Sequence, residues 1–127
     1  MRRVVVDMQN ALFADAIANI LHDFDADFDV YRSEHPAKTT ELCADVQANV
    51  LIMEVTAYPP RTFPERMAIR SELQEHLPLC KLVLMVDENA ERRLADQVRR
   101  AKKDGLIDCF LYNSVSASYL SALIDTL

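Results

Sequence analysis

The apolar positions of this chain follow two rhythms. Unbroken runs occur at Val4-Val5-Val6, at Val50-Leu51-Ile52-Met53 and from Leu82 to Val86. Runs of that length suit strands buried on both faces. The second run ends in a carboxylate, Glu54, and Tyr58-Pro59-Pro60 stops regular structure soon after it. That makes a short central strand the better reading than a buried helix. Asp27 to Arg32 alternates, with Phe28 and Val30 on one side, and Ile107 to Tyr112 forms a fifth strand. Between these runs the apolar spacing changes to three and four, the period of a helix with one buried face. Leu12, Phe13, Ala16, Ile17, Ile20, Leu21 and Phe24 mark the first helix, with Asn10 as its N-cap. Thr39, Thr40 and Glu41 start a second, through Leu42, Cys43 and Val46. Thr62-Phe63-Pro64-Glu65 is a capping-box pattern with an early proline; the helix it opens carries Met67, Ile69, Leu73 and Leu77 and closes at Pro78. Ala90, Leu94, Val98 and Ala101 line a fourth, with Gly105 just past its end. Ser116 caps the last, where Val115 and Leu120 form a hydrophobic staple and Leu123, Ile124 and Leu127 continue the face.

Strand then helix, five times over, predicts an α/β fold with a parallel sheet covered by helices on both sides. At 127 residues, half of them hydrophobic, the chain fits one domain with a real core. No apolar run reaches membrane-spanning length, and the apolar part of the amino terminus is too short for a signal peptide. A net charge of -6 speaks against direct nucleic-acid contact by this domain. The single glycine, Gly105, excludes a Walker loop and a dinucleotide-binding GxGxxG turn. Cys43, Cys80 and Cys109 form no CxxC pattern and read as reduced core residues of a cytoplasmic protein. Asp23, Asp25, Asp27 and Glu34 imitate a calcium loop, but Phe28 stands where the sharp turn needs glycine.

The order and spacing of three segments resemble the receiver domain of bacterial two-component response regulators. Asn10-Ala11-Leu12-Phe13 resembles the first-helix start of receivers joined to helix-turn-helix output domains. Val50-Leu51-Ile52-Met53-Glu54 resembles the strand that ends in the phosphorylated aspartate. Asp108-Cys109-Phe110-Leu111-Tyr112-Asn113-Ser114-Val115-Ser116-Ala117 resembles the fifth strand, its lysine-proline pair and the last helix start. The resemblance covers residues 1–127. It implies a flavodoxin-like (βα)5 three-layer sandwich with strand order 2-1-3-4-5, standing as the N-terminal module of a longer regulator.

The family's chemistry uses two acids after strand one for a magnesium ion, an aspartate after strand three as phosphoacceptor, a hydroxyl after strand four and a lysine after strand five. Metal and lysine neutralise charge on the transferred group. In this register the acidic pair becomes Met8-Gln9, with Asp7 one residue early. The phosphoacceptor position is Glu54, the hydroxyl position Met85 or Val86, the lysine position Asn113, and its proline Ser114. The proline after strand three falls one residue late, at Pro59. Asp7 and Glu54 are the carboxylates left for a metal, and Met8 offers magnesium no oxygen, so no cofactor is expected.

The resemblance therefore implies a non-enzymatic signal receiver of phosphorelay and transcription regulation, with a degenerate pocket made of Asp7, Met8, Gln9, Met85 and Asn113 around Glu54. The longer arm of Glu54 imitates a phosphorylated aspartate only in part, because phosphate brings more charge and more acceptors. Arg92, Arg93, Arg99, Arg100, Lys102 and Lys103 crowd the fourth helix, and such a run is commonly a solvated face. Read functionally, Arg92, Arg99, Arg100, Lys103 and Tyr112 form a homodimer surface facing acids such as Asp108 or Asp125. Tyr112 lies near a receiver switch aromatic, although core packing accounts for it equally well. The alternatives are a small flavodoxin-like cofactor carrier or enzyme, for which Asp7-Met8-Gln9-Asn10 supplies no glycine- and hydroxyl-rich phosphate turn, and a ligand-free scaffold.

Overall fold

A computed structural model describes residues 1–127. The strands are β1 (Arg2–Asp7), β2 (Phe28–Ser33), β3 (Val50–Glu54), β4 (Lys81–Val86) and β5 (Cys109–Tyr112). The helices are α1 (Ala11–Phe24), α2 (Thr39–Val46), α3 (Phe63–His76), α4 (Arg92–Lys103) and α5 (Ala117–Asp125), with one 3-10 turn at Pro36–Lys38. All strand pairs are parallel, in the order β2-β1-β3-β4-β5. The expected sheet order and the two helical layers are both present.

The unbroken apolar runs are explained by burial on both sides. Val5, Leu51, Met53, Leu82, Leu84 and Val86 pack against α2, α3 and α4. Val4, Val6, Val50, Ile52, Val83 and Met85 pack against α1 and α5. Neighbours along a strand thus serve opposite layers, as the strand's two-residue period requires. Asp7 follows in the line of Val5, and Glu54 in the line of Ile52. The three cysteines are free.

The caps fall where the sequence puts them. Asn10 accepts from the Phe13 amide and Ser116 from the Tyr119 amide. Thr62 and Glu65 exchange both bonds of the capping box. Gly105 has φ of 76°, left-handed, after the last turn of α4. Some helical faces differ from expectation. In α1 the buried residues are Ala14, Ile17 and Leu21, while Leu12 and Ala16 face solvent and Phe24 is half exposed. The inward line must aim at the sheet, and one extra apolar residue on either flank can be left outside. In α4, Ala95 is buried and Ala90 lies before the helix, exposed. In α3 the inward line is Arg66, Ile69 and Leu73; Met67 is half-buried.

Arg2 closes the opposite, N-terminal edge. Its guanidinium donates to Asp25 at 2.8 Å and to Asp125 at 2.6 Å, and lies 3.9 Å from the centre of the Phe28 ring. One strand residue therefore ties the ends of α1 and α5 to the sheet.

Candidate functional site

The carboxyl ends of β1, β3, β4 and β5 form the edge where open α/β sheets hold ligands and chemistry. Asp7 ends β1 and is fully buried. Its Oδ2 accepts from Arg66 Nη1 at 2.7 Å and from Thr39 Oγ1 at 2.6 Å. Its Oδ1 accepts from Arg66 Nη2 at 3.2 Å. Arg66 Nη2 also donates to the Asp7 carbonyl at 3.2 Å, and Arg66 Nε to the Glu54 carbonyl at 2.7 Å. Thr39, itself buried, has Ser33 Oγ 2.7 Å from its hydroxyl. Arg61, from the loop before α3, brings Nε to 3.6 Å of Asp7 Oδ1, too long for a hydrogen bond, and that buried nitrogen has no partner. The planar fork of Arg66 matches the carboxylate and leaves little of either group unsatisfied.

Glu54 is half-buried at the end of β3, and its Oε1 accepts from the Gln9 amide at 3.1 Å. Met8 is buried among the residues under α1 and α5. Met85 pairs with Glu54 across the β3–β4 ladder and is fully buried on the same face. Val86 points to the other layer. Asn113 donates its amide to the Val86 carbonyl, and its buried side-chain oxygen has no partner. The sheet thus gathers Asp7, Met8, Gln9, Glu54, Met85 and Asn113 along one edge. It does not bring the two carboxylates onto one face.

A magnesium ion, implied by the resemblance, does not fit these residues. Magnesium wants octahedral oxygen ligands and usually keeps several waters. Both oxygens of Asp7 are held by Arg66, one of them also by Thr39, with a second guanidinium close behind. Met8 offers a thioether in a packed layer. Glu54 faces away from Asp7 by strand alternation.

Sequence reasoning missed Arg66, Arg61, Thr39 and Ser33. Arg66 was within reach of it, since it precedes Ile69 by three and Leu73 by seven and so shares their face. A cation in an apolar line, and a lone acid ending a valine run, are each signs of a buried pair.

On α4, Arg92, Arg93, Arg99, Arg100, Lys102 and Lys103 are all exposed. Arg99 donates to the Tyr112 hydroxyl at 2.8 Å and pairs with Asp96. Phe110 and Tyr112 stack edge to face at 5.6 Å. Beside them Phe110, Leu111, Tyr112, Ser114, Val115 and Tyr119 line a shallow groove of about 300 Å³. The acids expected to face this surface have partners within the chain. Asp125 takes Arg2, and Asp108 accepts from the Leu82 amide at 2.8 Å with Lys81 nearby.

Cys43 and Cys109 are buried as expected, while Cys80, expected in the core, is half-buried just before β4. Desolvation pushes Cys43 and Cys80 up to about 12 and Cys109 to about 11. All three favour the protonated thiol at neutral pH, and Cys43 and Cys109 are also shielded from reagents. No helix is long and apolar enough to cross a membrane.

No protein-family model matches this sequence, and no curated protein is significantly similar to it. Solved structures do share its fold. A response regulator receiver domain protein from Clostridium thermocellum superposes with a TM-score of 0.78 at 16% identity, covering 99% of this chain and 93% of that one. The REC domain of AraT, a response regulator from Geobacillus stearothermophilus, gives 0.75 at 16% identity over 98% of this chain and 91% of its own. An orphan response regulator of H. pylori gives 0.75 at 13% identity over 98% of this chain and 94% of its own. The chain has the receiver-domain fold from end to end.

Proposed function

We propose that this chain is a signal receiver module of a bacterial response regulator whose edge works by contact rather than by phosphoryl transfer. The observation that carries the reading is the chemistry of the edge on a receiver fold. The acceptor position holds Glu54, already bonded to the Gln9 amide, and the lysine position holds Asn113, which brings no charge. Phosphoryl transfer is mostly positioning and charge neutralisation, and no cation is bonded to the Glu54 carboxylate, whose partner is the Gln9 amide. Asp7, Met8, Gln9, Met85 and Asn113 form the degenerate pocket of this reading, and no cofactor takes part. The domain has no catalytic residue of its own.

In this reading residues 1–127 are one module of a longer cytoplasmic regulator, joined to a DNA-binding output domain that acts in transcription. Output passes through the face of α4, β5 and α5, where Arg99 donates to Tyr112 beside the groove and Arg92, Arg100 and Lys103 lie exposed along α4. A homodimer through that face is weakened by salt, because α4 brings exposed cations to an acidic molecule. Sedimentation at low and high salt tests this; a monomer at both, at high concentration, removes the dimer. Incubation with acetyl phosphate and magnesium followed by intact mass tests the main reading. Unchanged mass is expected, and a stable phosphoryl gain lost in Glu54→Gln overturns it. The flavodoxin-like cofactor reading has no supporting residue at the turn after β1, and an absorbance scan for bound flavin separates the two.

A further inference from the structure

Asp7 is a carboxylate with no exposure to water at the carboxyl edge of the sheet. Burying such a group without a counter-charge is prohibitive. The chain answers with Arg66, equally buried, reaching from α3. Its guanidinium touches both Asp7 oxygens, the Asp7 carbonyl and the Glu54 carbonyl. It thereby links the ends of β1 and β3. Arg61 adds a second positive charge 3.6 Å from the same carboxylate. Two guanidinium groups against one carboxylate leave local positive charge, which repels a divalent cation.

We propose that Arg66, backed by Arg61, is the resident cation of this edge: it stands in for a divalent ion, and the domain neither binds Mg2+ there nor responds to it. The inference takes its place in the signalling reading above, but it has its own readout. Phosphorylated Glu54 with no bound metal would overturn that reading and leave this one. Metal at Asp7 with unmodified Glu54 would do the reverse.

The test is a titration of the wild-type protein with Mn2+, read as paramagnetic broadening of backbone amides. Residues 7–9 and 54–56 are expected to broaden no more than other surface amides. In parallel, millimolar MgCl2 leaves the melting temperature unchanged against NaCl of matched ionic strength. Saturable broadening centred on Asp7 overturns the proposal. Arg66→Ala removes the resident charge and opens its place. That variant is expected to melt lower than wild type and to regain part of the loss in MgCl2. A folded Arg66→Ala protein that ignores MgCl2 reduces Arg66 to a packing tie and also overturns the proposal. If Arg66→Ala does not fold, the wild-type titration still decides.

Discussion

Asp7 and Arg66 show what a pair of residues can determine and how far a sequence reveals it. Asp7 was visible as the acid that ends the Val4-Val5-Val6 run, but its partner lies 59 positions away. Nothing around Asp7 names the arginine that reaches it; only the place of Arg66 in the apolar line of α3 marks it. Breaking one side of a buried pair leaves the other charge stranded, typically at about 3–5 kcal/mol. Arg66→Met should therefore lower unfolding free energy by about that amount in denaturant titrations. Asp7→Asn combined with Arg66→Met should cost less than the sum of the two single changes, because neither charge is then left alone. Additive losses would contradict the pairing. The cysteines give a prediction with a direction in pH. Each thiol's folded value, about 11 to 12, lies above the ordinary 9, so the folded state holds protons that the unfolded state has released. Stability from this source is complete below pH 9 and falls as pH rises towards 12. Alkylation of the native protein at about pH 7.5, below that range, should be slow and should accelerate on adding denaturant; rapid native labelling of Cys43 would contradict its burial.

The helices and strands were legible because two independent signals agreed at most of them. Asn10, Thr62 and Ser116 cap helices whose apolar periods begin just after them, and Gly105 closes α4. The end of α2 had no such mark. Gln47 takes a left-handed φ of 55°, a conformation that glycine adopts freely and other residues adopt at a cost. Its side chain recovers part of that by donating to the Ala44 carbonyl at 2.8 Å. Gln47→Gly should raise stability by about 0.5 kcal/mol, the relief of strain outweighing the lost bond and the freer unfolded chain. A destabilised variant would mean that the side-chain bond matters more than the backbone. The faces of α1 and α3 were less legible than their bounds. Periodicity names a stripe, but only the neighbours decide which edge of the stripe is inward. Leu12 is 80% exposed, while Arg66 lies inward with the core.

The parallel sheet and its two helical layers followed from alternation, since five strand-helix units leave few right-handed arrangements. Its strand order came from the resemblance, and the observed order agrees. The edge was legible in its residue list and not in its wiring. Asp7, Gln9 and Glu54 do converge there, but the two carboxylates are divided between sheet faces and the charge is settled by a helix residue no motif includes. What results is a receiver fold whose edge is fixed by its own side chains. Beryllofluoride with magnesium imitates an acyl phosphate and needs the same acceptor, metal and cation. Recording the backbone amide spectrum with and without it asks the question most directly. The spectrum should be unchanged at residues 7–9, 54–56, 85–87 and 112–114. Saturable shifts at those positions, absent in Glu54→Gln, would contradict a contact-driven receiver.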